Sequence, residues 1–336
     1  MALDPLVRLE DIEAGAARIA SVVRRTPLLP TELGSPDRPL YLKAECLQVG
    51  GSFKIRGATN AVSLMAAEQR ARGVVTHSSG NHAQALARAA RAAGIAATIV
   101  MPHQAPAVKR AATQALGAEV VLVDIGQRET EMRRIQAVSG ATFVSPFDDR
   151  DIVAGQGTIG LEIAADLPRV ATVFVPVSGG GLISGIAVAL KALLDDVRVV
   201  GVEPELAGDL AEGFATGRRV TWDSALTART VADGLRVPAV GELNWRHITE
   251  FVDDVVTVSE AEIRSAMRRV ALEAKVVAEP SGAVAVAGSL RYADRFAAGP
   301  VVAVVSGGNV EPAVLREVLG ERAQRHRSLG RGLTAE

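Results

Sequence analysis

The chain has 336 residues, of which 48% are hydrophobic, and a formal net charge of −1. This size and apolar content are sufficient for a buried core and for two domains. The near-zero charge gives no electrostatic basis for binding nucleic acid or an anionic membrane surface, and no apolar run is long enough to span a bilayer.

Short apolar strands alternate with helical patterns along the chain. In the first half the periodicity predicts helices over 9–24, 57–71, 81–94, 107–116 and 128–139, with strands over 39–45, 73–79, 97–102 and 119–124. In the second half it predicts helices over 157–167, 182–194, 260–274 and 283–291, with strands over 172–177, 198–204 and 300–305. This alternation is typical of an α/β fold with parallel twisted sheets flanked by helices.

The N-terminal sequence and the cysteine content indicate the cellular compartment of the protein. "MALDPLVRLEDIEAG" lacks the basic start and apolar run of a secretory signal. The single cysteine, Cys46, forms no internal disulfide and is more simply interpreted as a packed small side chain than as a nucleophile. We therefore predict a cytoplasmic protein.

Three glycine-containing loops follow apolar strands: "SSGNH" (78–82, the serine loop), "SGGG" (178–181, the glycine loop) and "SGGN" (306–309). In parallel sheets, ligands bind beyond the carboxyl ends of the strands. The glycine loop opens a helix, so its backbone N–H groups and the helix dipole favour a phosphate. Ser184 replaces the last glycine of a dinucleotide fingerprint, and Leu182 and Ile183 follow where a Walker lysine would stand. The serine loop is consistent with two interpretations. It is either a helix cap followed by a histidine that is hydrogen-bonded within the fold, or a binding site for a small carboxylate.

One lysine lies in an apolar, glycine-rich segment, "GGSFKIRGATNA". Lys54 stands between Phe53 and Ile55, and desolvation of an amine lowers its pKa and makes it a nucleophile. A reactive lysine together with a phosphate cradle indicates an aldehyde cofactor with a phosphate tail, and pyridoxal 5'-phosphate meets that description.

Eight motifs in order resemble those of serine/threonine dehydratases and serine racemases, which are pyridoxal-phosphate enzymes of the tryptophan-synthase-β fold type (fold type II). They are "GGSFKIRGA", "SSGNHAQALA", "VAGQGTIGLEI", "PVSGGGLISGI", "VEPELAGD", "VADGL", "AEPSGAV" and "SGGN". The resemblance covers roughly residues 8 to 320. It implies a large cofactor-binding domain of residues 1–66 and 150–320, a small inserted domain of residues 70–147, and a polar C-terminal tail over 321–336.

The resemblance also implies the cofactor-binding residues. Lys54 matches the Schiff-base lysine, Phe53 the residue beside the ring, Asn81 the amide at the 3-oxygen, and Ser306 the hydroxyl at the pyridine nitrogen. The phosphate and ring contacts further match Ser178, Gly179, Gly180, Gly181, Leu182 and Gly234. A neutral hydroxyl at position 306 does not hold the pyridine nitrogen protonated. The ring is then a weaker electron sink, which favours rapid loss of a β-leaving group.

The serine loop matches the site for the substrate carboxylate, formed by Ser78, Ser79, Gly80, Asn81 and His82. Serine racemases carry serine at the position of Ser79, opposite the lysine, and many dedicated dehydratases carry alanine. Inversion at Cα requires acid/base groups on both faces. Arg128 matches an arginine near the cleft, with a solvent-facing helix start as the alternative. Ser145 stands where relatives often have histidine, and Glu279 is similar to a glutamate near the cofactor.

Two carboxylates bracket an alanine in "GVEPELAGD". Glu203, Ala207 and Asp209 have a spacing similar to the divalent-cation site of serine racemases, in which two carboxylates and one main-chain oxygen bind Mg²⁺ or Ca²⁺. The resemblance implies a structural ion outside the chemistry. A solvated acidic loop is the alternative.

The sequence therefore predicts β-elimination of a β-hydroxy amino acid such as L-serine or L-threonine to a 2-oxo acid and ammonia. Lys54 takes the Cα proton, and Ser79 supports side racemisation. An amino-acid racemase of serine or aspartate type, and a dehydratase of 3-hydroxyaspartate or a bulkier β-hydroxy amino acid, are the alternatives. The failed fingerprint disfavours a nicotinamide dehydrogenase, and Lys54 disfavours a non-catalytic binding module. We also expect a homodimer with a small-molecule amino-acid substrate and with no nucleic-acid or membrane partner.

Overall fold

The computed structural model describes residues 5–105 and 107–320, apart from the side chains of Val108 and Ile125. The predicted polar tail, 321–336, lies outside the described residues. Within them the strands are β1 (Leu28–Pro30), β2 (Leu40–Lys43), β3 (Val74–His77), β4 (Ala97–Pro102), β5 (Glu119–Val123), β6 (Thr142–Phe143), β7 (Thr172–Pro176), β8 (Arg198–Pro204), β9 (Asp254–Val258) and β10 (Val301–Val304). The helices of the same ranges are α1 (Leu9–Ile19), α2 (Lys54–Ser63), α3 (Ala67–Arg72), α4 (Asn81–Ala92), α5 (Ala107–Ala115), α6 (Arg128–Ser139), α7 (Arg150–Asp166), α8 (Gly181–Leu193), α9 (Asp209–Thr216), α10 (Ser224–Thr227), α11 (Glu242–Phe251), α12 (Glu260–Leu272), α13 (Pro280–Tyr292) and α14 (Pro312–Gly320).

The strands form two sheets. The larger sheet has six strands in the order β1-β2-β10-β7-β8-β9, in which β1 is antiparallel to β2 and every other neighbouring pair is parallel. The smaller sheet has four parallel strands in the order β5-β4-β3-β6. All strands of the smaller sheet lie in sequence between β2 and β7 of the larger one. This is the parallel α/β architecture that the alternation of strands and helices predicts.

The core of the larger sheet is apolar on both faces. The central strands β7 and β10 are buried at every residue, because α13 and α8 cover them. Helices α7 and α8 approach each other closely at two glycines: a Cβ on Gly185 would lie 2.5 Å from the backbone nitrogen of Gly157. The glycines of "VAGQGTIGLEI" and "GGGLISGI" thus allow backbone-to-backbone packing of the helices that cover the sheet.

Several helix boundaries differ from the sequence prediction. The first helix ends at Ile19 rather than at residue 24, because both backbone polar groups of Arg24 bond to the side chain of Gln48 at 2.8 Å. The helix predicted over 57–71 is two helices, and the first begins three residues early, at Lys54. The helix predicted over 157–167 begins seven residues early, at Arg150, where the Asp149 side chain accepts from the backbones of Asp151 and Ile152 at 2.8 and 3.0 Å. Side-chain contacts that the periodicity does not contain therefore set these boundaries.

The loops after β3, β7 and β10 and the start of α2 carry the residues of interest. An isolated bridge pairs Ser52 with Gly307, which brings the start of α2 beside the loop after β10. In the part of the chain that the structure describes, no helix has the length and apolarity needed to cross a bilayer.

Candidate active site

Lys54 lies at the first position of α2 and is only partly exposed. Its Nζ donates a hydrogen bond to the carbonyl of Pro146 at 2.6 Å and lies 5.0 Å from the centre of the Phe53 ring. Desolvation by burial lowers the pKa of Lys54 to about 8. A shift of this size raises the fraction of free amine at neutral pH by about two orders of magnitude. Lys54 therefore has the environment of a nucleophilic or basic amine.

Backbone contacts hold Lys54 next to the loop after β10. The backbone N–H of Phe53 donates to the carbonyl of Ser306 at 3.1 Å, and that of Gly308 donates to the carbonyl of Gly51 at 2.9 Å. Gly51 has a φ of +75°, and a Cβ there would lie 2.3 Å from Oδ1 of Asn309. Glycine is thus required where the chain turns into Lys54.

Arg56, two residues after Lys54, has a different role. Its guanidinium is fully buried and bonds Glu45 and Glu162, each at 2.7 Å. These carboxylates lie before α2 and in α7, so Arg56 fixes α2 against both. The charge of Arg56 is neutralised away from the site, whereas Lys54 has no carboxylate partner in the described contacts.

The glycine loop joins β7 to α8. Gly180 precedes the first residue of α8 with a φ of +90°, and no side chain caps the helix. The first backbone N–H groups of α8 therefore need an acceptor from outside the helix. Leu182 is buried, so this residue can contribute only its backbone amide to an anion. Ser178 follows β7, and its Oγ accepts a hydrogen bond from the backbone of Val237 at 3.2 Å.

Each glycine of the loop lies against another part of the chain. An added Cβ would lie 2.2 Å from the Phe147 ring at Gly179, 2.6 Å from the Phe147 carbonyl at Gly181, and 2.9 Å from Asn244 Cβ at Gly180. Larger residues would displace the segment around Phe147 or α11. The loop is a tightly packed turn, and its anion-binding groups are backbone amides.

The serine loop joins β3 to α4 and is packed more loosely. Gly80 precedes α4 with no side-chain cap, and a Cβ there would meet nothing within 4 Å. The Ser78 hydroxyl accepts from the Gly80 backbone at 3.3 Å, and Ser79 is partly exposed in the same turn. The helix start can accept a small carboxylate.

Asn81, the first residue of α4, belongs to a chain of side-chain amides. Its Oδ1 accepts from Nδ2 of Asn309 at 2.8 Å, and its Nδ2 donates to Glu279 at 2.6 Å. One N–H of Asn81 remains for a ligand. Burial and the nearby Asp233 raise the pKa of Glu279 to about 7.

His82 and Arg128 occupy different surroundings. The His82 ring is buried, with Nε2 3.1 Å from the carbonyl of Val144, and burial lowers its pKa to about 3. His82 is therefore a neutral packed side chain whose backbone remains in the serine loop. Arg128 begins α6, and its charge contributes, after burial, to the lowered pKa of His77 at the end of β3. Arg128 thus lies at the same edge of the smaller sheet as the serine loop.

Ser306 and Gly234 complete the predicted cofactor set. Ser306 is buried two residues beyond the end of β10. The Gly234 backbone N–H donates to Ser281 Oγ at 2.8 Å, and the preceding Asp233 accepts from Lys109 at 2.8 Å. Gly234 therefore lies at the start of α13, close to Glu279.

Glu203, Ala207 and Asp209 lie where β8 leads into α9. Glu203 accepts from the backbones of Leu210 and Ala211 at 3.3 and 2.8 Å. Both oxygens of Asp209 are buried and accept no hydrogen bond of normal geometry from the described residues. Burial raises the pKa of both carboxyls, that of Asp209 to about 7. The described residues contain no cluster of three or more metal-ligating side chains, so a cation here would need main-chain or water oxygens as well.

The residues present fit a phosphate-bearing aldehyde. A glycine cradle supplies uncapped amides, Lys54 supplies an amine of lowered pKa, and Asn81 retains a free donor. Sequence reasoning assigned no role to Phe147 and Asn244, which have no local motif, or to Asn309, which ends the noticed motif "SGGN". Their contacts come from residues about 30 to 260 positions away.

Comparisons with known proteins agree with this chemistry. The family model described as "Pyridoxal-phosphate dependent enzyme" matches residues 19–307. A serine racemase of Oryza sativa subsp. indica is 40% identical over 325 residues, covering 94% of each chain. An L-threonine ammonia-lyase of Thermotoga maritima is 43% identical over 320 residues, covering 94% of this chain and 79% of that protein. The structure of maize serine racemase superimposes with a TM-score of 0.88 at 38% identity, covering 93% of this chain and 97% of that one.

Proposed function

Because the chain belongs to the family of pyridoxal-phosphate-dependent enzymes, we propose that it removes the β-hydroxyl and amino groups of a small β-hydroxy amino acid. L-Serine and L-threonine are the proposed substrates, and a 2-oxo acid and ammonia are the products. The observation that carries the proposal is Lys54, an amine with its pKa lowered to about 8 and placed beside the loops that we assign to the cofactor. The threonine ammonia-lyase relative supports elimination.

Each predicted residue has a role derived from its position. When bound, pyridoxal phosphate supplies an aldehyde carbon and an electron-withdrawing ring. The glycine loop amides would bind the phosphate, and Asn81 would donate its remaining N–H to the 3-oxygen of the ring. The neutral Ser306 hydroxyl would face the ring nitrogen without holding it protonated. The amides and hydroxyls of the serine loop bind the substrate carboxylate. The Lys54 amine then takes the Cα proton, since its lowered pKa gives it a larger free-base fraction near neutral pH than an exposed lysine has.

The proposal is tested with Lys54→Ala and with Lys275→Ala, a matched removal of an exposed lysine. We expect Lys54→Ala to lose the borohydride-reducible bond to the cofactor and all formation of 2-oxo acid. The control variant should keep both. A Lys54→Ala protein with normal turnover would overturn the assignment. Wild-type protein with no turnover on any β-hydroxy amino acid would overturn the reaction class.

Racemisation at Cα is the second candidate activity. The serine racemase relatives and the serine at position 79 support it. Lys54 serves one face of the substrate, and Ser79 is proposed to carry the proton on the other. An unperturbed serine hydroxyl is too weak an acid and base to act alone, so a neighbouring group must assist it.

We also propose that Glu203, Asp209 and the main-chain oxygen of Ala207 bind Mg²⁺ or Ca²⁺. The two buried oxygens of Asp209 support this, because a cation that binds them would compensate the cost of burying the charge of the carboxylate. The ion would stabilise the turn between β8 and α9 and lies outside the proton transfers.

The two sheets support the division into a large domain (1–66 and 150–320) and a small inserted domain (70–147). We propose that the site lies between them, so that their approach excludes water. The homodimer and the cytoplasmic location stay predictions. Sedimentation of the purified protein tests the first and fractionation of the source cells tests the second.

A further inference from the structure

Asn244 is a fully buried asparagine in the first turn of α11. Its Nδ2 donates to the carbonyl of Gly179 at 2.7 Å and to the carbonyl of Phe147 at 3.0 Å. A side-chain amide has two N–H groups, so both are used. One residue therefore bonds the glycine loop and the segment that follows β6, which are distant in sequence.

The segment that follows β6 is also bonded to the start of α11 in the reverse direction. The carboxylate of Asp148 accepts from the backbones of Glu242, Leu243 and Asn244 at 3.0 to 3.3 Å. The start of α11 is thereby fixed to the residue next to Phe147. Asn244 projects from a helix end that is itself anchored, so its amide has a defined position.

Because the peptide bond is planar, the hydrogen bond from Asn244 to the Gly179 carbonyl also fixes the direction of the next backbone N–H in the glycine loop. The carbonyl of Gly179 accepts from Asn244 and also from the backbone of Gly241 at 3.1 Å. In a planar trans peptide the C=O of one residue and the N–H of the next point in opposite directions. The N–H of Gly180 is therefore directed away from α11. If the Gly179 carbonyl were free to rotate, the loop could present an oxygen to an anion instead of a donor.

The side-chain oxygen of Asn244 accepts no hydrogen bond within the part of the chain that the structure describes, which indicates that the residue is needed for its two N–H donors. Its Oδ1 is buried and has no hydrogen-bond partner among the described residues. A buried unsatisfied acceptor is unfavourable, so an apolar side chain would be the more stable occupant if this position served packing alone. The two carbonyls that Asn244 binds offset that disadvantage.

We propose that Asn244 is a positioning residue that holds the glycine loop with its amides directed at an anion, and that it thereby sets the affinity for the phosphate group of the cofactor. The inference rests on the proposed function, because it takes the glycine loop as the phosphate site. Asn244 itself touches neither cofactor nor substrate, and it acts on the phosphate site through the Gly179 carbonyl.

The test compares two ligands that differ in one group, pyridoxal phosphate and pyridoxal. Both are titrated into full-length protein freed of cofactor, and the bond to Lys54 is followed by absorbance. Asn244→Ala should lower the affinity for pyridoxal phosphate about tenfold, as expected for the loss of a buried hydrogen bond. The affinity for pyridoxal should remain unchanged. Asn244→Ser retains one donor and should give a smaller loss. The serine variant carries the same comparison if the alanine variant does not fold.

Ser259→Ala provides the structural control. Ser259 caps α12 through Glu262, so its removal weakens a helix without touching the glycine loop, and both affinities should remain as in the wild type. The inference would be overturned if the Asn244 variants lowered the affinity for both ligands equally, or if they lowered neither affinity. Failure of the proposed function has a different signature, namely wild-type protein in which neither ligand forms a reducible bond to Lys54.

Discussion

The glycine loop and the serine loop both join a parallel strand to a helix whose start has no side-chain cap, yet they are packed differently. A Cβ on any of the three glycines of the first would lie within 3 Å of another residue, whereas a Cβ on Gly80 in the second meets open space. The first loop is also bonded through its Gly179 carbonyl to α11.

This difference in packing matches the ligands that we propose for the two loops. A cofactor stays bound through many turnovers, so a rigid cradle that loses little entropy on binding suits its phosphate. A substrate enters and its product leaves at every turnover, so a less constrained helix start suits its carboxylate. Backbone amides bind both anions, and the packing behind them distinguishes the two sites.

Gly179→Ala should have the largest effect. Its Cβ would overlap the Phe147 ring, so either the ring or the loop must shift, and we expect the affinity for pyridoxal phosphate to fall about 100-fold. Gly80→Ala is the matched change in the serine loop and should leave that affinity unchanged while raising the substrate KM. Titration by absorbance and steady-state kinetics measure the two effects. Equal cofactor affinity in the two variants would refute the comparison.

Ser79→Ala separates the two proposed activities of the serine loop. Loss of the proton carrier on the second face should reduce racemisation by about 100-fold or more, while elimination from the L-substrate falls by less than about tenfold because Lys54 remains. Deuterium incorporation from solvent into the opposite enantiomer measures the first rate and 2-oxo acid formation measures the second. If racemisation persists in Ser79→Ala, another residue carries the proton.

The pH dependence of cofactor attachment should originate at Lys54. Its pKa is lowered to about 8, so the amine is protonated below that pH and free above it. The attachment rate should rise about tenfold per pH unit below 8 and level off above it.

His82 and Glu279 provide the controls for this profile. His82 has its pKa lowered to about 3 and stays neutral over this range, so His82→Gln should keep the midpoint. Glu279→Gln removes a carboxyl with a pKa raised to about 7 and tests its contribution. A midpoint near 10 in the wild type would show that burial does not activate Lys54.

Removal of divalent cations should have the smallest effect, on stability. Glu203 lies near the end of β8 and Asp209 begins α9, and β8 is adjacent to the strand that leads into the glycine loop. Chelation should lower the melting temperature by a few degrees, and Mg²⁺ or Ca²⁺ should restore it, because an ion that binds only the folded state stabilises it. Asp209→Asn should abolish this response, whereas Glu205→Gln, a change of an exposed carboxylate in the same turn, should keep it. Identical melting curves for metal-free and metal-loaded protein would remove the cation from the site.

The sequence by itself determined the parallel α/β fold, because buried strands and amphipathic helices have periodicities that are visible within a few residues of one another. It also indicated Lys54 and the three glycine-containing loops, because a reactive amine and an anion cradle require particular residue types at strand ends. The boundaries of α1 and α2 could not be predicted, since bonds from Gln48 and pairing with Gly307 come from other elements.

Only the tertiary structure decided which of these residues are activated and which are merely packed. For His82 the sequence left a packed histidine and a substrate-site residue open, and the structure shows a buried, neutral side chain bonded to a backbone carbonyl. The apolar segment around Lys54 indicated a desolvated amine, but the burial that lowers its pKa to about 8 depends on how the chain packs around it. Asn244 has no motif of its own. Its position beneath the glycine loop results from the packing of α11 against a segment nearly a hundred residues earlier in the chain.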